Sequence, residues 1–226
     1  MNAWSRNAEQ LAEFTDSQLV ASSDSWGVAS PPDGRRQGGV WRACTGRLNP
    51  ELLARHYRGA AVEHLLQVYA LVVLSYRPRW FPFWLGFFVP GTGGLCEALA
   101  HCRAIRSYFL DHELDALILG YRDAPEHHVW VPLRHASMDD HDLLVRGEDA
   151  ARVALRDLRL PEDYATLWLP LPGRHHTAPD WSRAWVDGEW VADHEAVAAF
   201  LGMRFRAPTA IPELVERYRE RDRRAP

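Results

Sequence analysis

Eleven histidines are the residues of this chain best suited to move a proton or hold a metal ion. Four stand in one acid-rich region: His127, His128, His135 and His141, the last followed by Asp142. The run His135-Ala136-Ser137-Met138-Asp139-Asp140-His141-Asp142 is dense in groups that bind metals. Its spacing matches no zinc-hydrolase pattern such as HExxH. The acids also suit a first helical turn, where the macrodipole favours negative charge. A metal-dependent hydrolase built on residues 127–142 is therefore the alternative function, and no metal ligand is assigned.

Three smaller groups carry weaker signals. Gly91-Thr92-Gly93-Gly94 precedes a helix and could cradle an anion, but it lacks GxGxxG spacing and a preceding strand. A turn after Pro90 explains it. Asp111, His112, Glu113 and Asp115 could hold an acid–base pair, and a helix N-terminus explains them equally well. Cys44, Cys96 and Cys102 match no zinc ribbon and are odd in number. They read as reduced thiols of a cytoplasmic protein. The acids Asp139, Asp140, Asp142, Glu148, Asp149, Glu162 and Asp163 form the candidate partner-binding surface. A face of this kind can imitate phosphate and dock a basic partner.

The elements that must position these groups read as helices. Leu11, Phe14 and Leu19 predict an amphipathic helix over residues 7–20, and the Ser-, Gly- and Pro-rich residues 21–48 predict a loop. Asn49 and Pro50 open a helix whose apolar period runs to about residue 75. The apolar residues 80–89 are too few to span a membrane and read as a buried connector. Helices follow over 94–109, 111–121, 148–158, 161–169 and 212–224. Residues 122–138 admit a short strand, and residues 170–187 a loop. Asp187-Gly188 offers a tight turn between Trp185 and Trp190. The expectation is an all-α helical bundle with room for one short strand pair. Residues 1–48 form an N-terminal helix and loop-rich segment, and residues 49–226 the helical domain.

The most coherent block is Gly188 to Gly202. Asp193 is placed to cap a helix that buries Val197, Phe200 and Leu201, and Gly202 to end it in a left-handed conformation. Its composition suits packing on several sides rather than catalysis. All 26 basic residues are Arg, which excludes a Walker A lysine, a Schiff base and pyridoxal chemistry. A net charge of −4 gives no sign of nucleic-acid binding. The ten tryptophans suit cores and partner-binding surfaces.

The same block resembles the C-terminal signature of the PoNi-like immunity proteins, which protect bacteria from polymorphic DNase toxins of the PoNe type. Gly188, Trp190, Val197, Ala198, Leu201 and Gly202 match in kind, while Glu189, Ala192 and Asp193 depart from it. Leu53 to Leu65 is similar to an upstream helix of that family. Asp115-Ala116-Leu117-Ile118 with Arg122-Asp123 is similar to its mid-chain segment, and Pro212-Glu213-Leu214-Val215 to its last motif. The resemblance implies a mostly helical protein that binds a cognate toxin and occludes its active site, with no catalysis and no cofactor; composition and charge add the expectation of a cytoplasmic setting, with no membrane and no direct nucleic-acid contact. A peptide-binding accessory subunit of a biosynthetic enzyme is the third reading.

Overall fold

The computed structural model describes residues 2–19, 26–30, 40–44, 48–59, 65–69, 81–135, 141–166, 168–175 and 180–205. Helices α1 (Ala3–Arg6) and α2 (Ala8–Phe14) lead into a π-helical turn, Thr15–Leu19. Strands β1 (Trp26–Ser30) and β2 (Val40–Cys44), helix α3 (Pro50–Tyr57), and strands β3 (Leu65–Tyr69) and β4 (Phe81–Val89) follow. Then come α4 (Leu95–Leu110), β5 (Leu117–Gly120), β6 (His127–His135) and α5 (His141–Asp157). Strands β7 (Ala165–Thr166), β8 (Trp168–Pro170), β9 (Arg183–Val186) and β10 (Glu189–Val191) precede α6 (Asp193–Leu201).

The expected all-α bundle is not what forms. The chain builds two antiparallel sheets, one ordered β2-β1-β3-β8 and the other β10-β9-β5-β6-β4-β7. The fold is mixed α/β. Several helical expectations fall for one reason: short apolar runs carry the same signal in a buried strand as in a buried helix. Leu117 and Ile118, read as one helix face, belong to β5, whose four residues are all buried. Leu65 to Tyr69 is a strand, so the helix opened by Asn49 ends at Tyr57. The connector at residues 80–89 is β4, rich in aromatics that favour strands. Pro82 is tolerated there because β7 pairs only with Gly86 and Phe87 of β4. The loop at 21–48 holds β1 and β2, and the expected helix at 161–169 is a single 3₁₀ turn followed by β7 and β8. The helix expected over 212–224 lies outside the described residues.

Alternation along β6 divides the core in two. Trp130 with Leu117, Leu119 and Ala184 faces α1, α2, α3 and α6, where Trp4, Leu11, Tyr57 and Phe200 are fully buried. Val129, Val131 and Leu133 face the other way, onto Ile105 and Phe109 of α4 and Ala154 of α5.

The block at Gly188 keeps its helix and ends at Gly202, but neither cap takes the predicted form. Residue Ala192 occupies the N-cap position and makes no side-chain cap bond. Asp193 takes φ +52° and turns its carboxylate onto the Ala3 N–H, 2.5 Å away. The residue predicted to cap α6 therefore takes the first N–H of α1, beside the Asn2 side chain that caps Trp4. Gly202 has φ −83°, so its place is not a left-handed one.

Candidate functional site

The predicted hairpin turn sets up a surface of aromatic and cationic side chains. Asp187 and Gly188 take φ +48° and +93°, and β9 and β10 pair in register with Trp185 opposite Trp190. Cross-strand partners point to one face, so the two indoles meet edge to face at 5.5 Å. Both are half-buried. The Arg103 guanidinium, reaching from α4, lies 5.8 Å from the centre of the Trp185 ring. Arg183 lies 5.6 Å from that of Trp190. Glu189 pairs with Val186 and so projects to the opposite face.

His127 closes the inner end of this surface. Its ring meets Trp190 edge to face at 5.2 Å. Gly120, its partner on β5, makes this possible: a Cβ there would stand 2.9 Å from the Trp190 ring. Burial pulls the His127 pKa down and keeps the imidazole neutral. Its Nδ1 and the Nε of Arg183 are buried without a hydrogen-bond partner. The surface thus offers two stacking rings, two positive charges and two unmet buried nitrogens.

His128 points to the opposite face, so the His127-His128 pair is not one chelating unit. Around His128 stand Phe88, Tyr121 and, further along, His175. Tyr121 to Glu126 connects β5 to β6. The Asp180 carboxylate fastens that connection, accepting from the N–H groups of Arg122 and Asp123. His175 Nε2 donates to Glu126 Oε1 at 2.6 Å. Burial pushes the Glu126 carboxyl up, but the His175 bond, its own backbone and the nearby imidazoles outweigh that and hold it at about 2. Burial lowers His128 to about 4.

The predicted site residues are dispersed. Asp139 and Asp140 lie outside the described residues. His135 ends β6, while His141, Asp142 and Glu148 are backbone positions on α5. Asp149 follows on the same helix, half-buried. Glu162 pairs with Arg156 at 2.5 Å, and Asp163 is exposed beside it. Among the described residues, no group of three or more His, Cys, Asp or Glu is placed to hold a metal ion. Asp111 to Asp115 follows the C-terminus of α4 rather than opening a helix. At Gly93 the Glu97 carboxylate stands 1.8 Å from where a Cβ would be.

Sequence reasoning missed Arg103, Arg183, Tyr121, Glu126 and Asp180. The Asp-Gly turn was the one available signal for the first surface, since it places Trp185 opposite Trp190.

No family model and no curated protein matches the chain. Nothing among the comparisons bears on the resemblance to the PoNi-like immunity proteins. Among solved structures, the chain is similar to the "Polymerase Domain from Mycobacterium tuberculosis Ligase D in complex with DNA". The identity is 12% and the TM-score 0.43, over 96% of this chain and 88% of that one. A likeness that distant carries no argument for what this chain does. The expectations of a non-catalytic immunity protein and of no direct nucleic-acid contact are nonetheless corrected. Neither exclusion is kept, and nothing of that polymerase domain is carried over to this chain. Among the described residues, no helix is long and apolar enough to cross a membrane.

Proposed function

We propose that this chain binds a nucleotide-like ligand, one carrying both a flat aromatic ring and negative charge, on the surface formed by Arg103, Trp185, Trp190 and Arg183. The observation that supports it is the indole pair at 5.5 Å with a guanidinium over each ring. Indoles give bases a stacking face, and guanidiniums give phosphates a bidentate partner. The overall charge of −4 does not oppose this reading, because both arginines act locally and Glu189 faces away. The cytoplasm is the setting that goes with it, where the free thiols of Cys96 and Cys102 stay reduced.

Tryptophan fluorescence of the full chain tests the proposal at low salt. Mononucleotides and a short single-stranded oligonucleotide are titrated in parallel, which separates a free nucleotide from a strand. At least one quenches saturably. Trp190→Ala weakens its binding by about 5- to 150-fold, the worth of one stacked base. Arg183→Gln weakens it and flattens the salt dependence. Absence of saturable quenching by either probe overturns the reading.

A further inference from the structure

Trp190, a ring on which the proposed ligand stacks, is flanked by Arg183 and His127. The Arg183 guanidinium lies 5.6 Å from its centre, and His127 meets it edge to face at 5.2 Å. Each flanking residue follows directly on an anchored one. Arg183 follows Ser182, whose hydroxyl accepts from the Gly173 N–H at 2.9 Å and whose own N–H donates to the Gly173 carbonyl at 2.8 Å. His127 follows Glu126, whose carboxylate accepts from His175 Nε2 at 2.6 Å. Both anchors therefore go back to one stretch of chain, between Gly173 and Ser182. The ends of that stretch are joined: the His175 N–H donates to the Asp180 carbonyl at 2.8 Å, and Arg174 and Trp181 form a bridge. Asp180 adds a third tie, its carboxylate accepting from the N–H groups of Arg122 and Asp123.

Strand pairing alone does not fix this end of the surface. Gly120 and His127 are the last pair between β5 and β6, and Tyr121 to Glu126 lie outside both strands. Strand ends are where pairing opens first, so ties beyond the last pair decide how firmly His127 is held. The tie at Glu126 is of the strong kind. Its carboxyl is held ionised, at about 2, and bonds to an ionised group are roughly twice as strong as neutral ones. His175 is 5% exposed, so water competes little for the bond.

We infer that Glu126, His175 and Asp180 are positioning residues, through which the stretch from Gly173 to Ser182 holds His127 against the Trp190 ring and keeps the tryptophan surface in its ligand-binding form. The consequence for affinity rests on the nucleotide-like reading above, and the placement of His127 does not.

Histidine side-chain NMR and tryptophan quenching on the full chain test it. In the parent, the Trp190 ring current displaces the His127 ring signals from their ordinary positions. Glu126→Ala moves them back toward those positions. It also weakens whichever probe quenches the parent, mononucleotide or oligonucleotide, by about 2- to 10-fold, the worth of one hydrogen bond. Glu126→Gln keeps an acceptor for His175 and restores both readouts to near the parent. Should Glu126→Ala fail to fold, His175→Phe keeps the ring contact with Tyr121, cannot donate, and gives the same two changes. Unmoved His127 signals in a folded Glu126→Ala or His175→Phe protein overturn the inference, and so does a Glu126→Gln protein that behaves like Glu126→Ala. Quenching in the parent with unmoved His127 signals overturns this inference alone. No quenching in the parent, with His127 moving as stated, overturns the nucleotide-like reading alone.

Discussion

Asp193 shows how one side chain serves an element distant in sequence. Its carboxylate accepts the Ala3 N–H and lies 3.4 Å from the Arg6 guanidinium, 187 residues away. The chain pays for this geometry with a left-handed backbone at φ +52°. Asp and Asn tolerate that conformation, since their short polar side chains bond locally, and Ala does not. Asp193→Ala therefore loses both the cap and the tolerance, at a cost of roughly 1–2 kcal/mol in urea unfolding. Asp193→Asn keeps an acceptor and the conformation and stays within about 0.5 kcal/mol of the parent. The ion pair itself adds little, because both partners are nearly half exposed. Equal losses in the two variants would show that charge, not the cap, carries the effect.

At the scale of elements, the legible parts of the sequence were those with punctuation. Asp187-Gly188 announced its hairpin through turn chemistry, and α6 was bounded correctly by composition even though its cap was misread. Strand β5 could not be read in the same way. It is buried on both faces, so it lacks the alternation that identifies a half-buried strand, and Leu114, Leu117 and Ile118 imitate a helix face. The buried cluster was illegible for a different reason. Glu126 and His175 are 49 residues apart and meet only once β5, β6 and β9 have paired. Gly120 links this element scale to the proposed ligand surface. A methyl group there stands 2.9 Å from the Trp190 ring and must displace it. Gly120→Ala is expected to weaken nucleotide-like binding several-fold while costing about 1–3 kcal/mol of stability, as overpacking does. Parent-like quenching in a folded Gly120→Ala protein would show that Trp190 does not set the platform.

The whole molecule should be sensitive to acid, and the sign follows from its buried imidazoles. Burial lowers His56 and His128 from 6.5 to about 4 in the folded protein. His56 Nε2 is tied to the Pro172 carbonyl at 2.9 Å, beneath Gly173, where a Cβ would approach that nitrogen to 3.0 Å. A depressed folded-state pKa means that the unfolded chain takes up protons first as pH falls. The stabilisation is complete above 6.5 and is lost between 6.5 and about 4. Each histidine contributes on the order of 3 kcal/mol over that window. Glu126, held at about 2 against 4.5, extends the loss to lower pH with the same sign. Together the two histidines amount to about 6 kcal/mol, a large share of the roughly 5–15 kcal/mol that stabilises a typical domain. Urea midpoints should therefore fall steeply from pH 7 to pH 5. The double variant His56→Gln, His128→Gln should start from a lower midpoint and show a much flatter profile between those values. A double variant as steep as the parent would place the acid sensitivity in other groups.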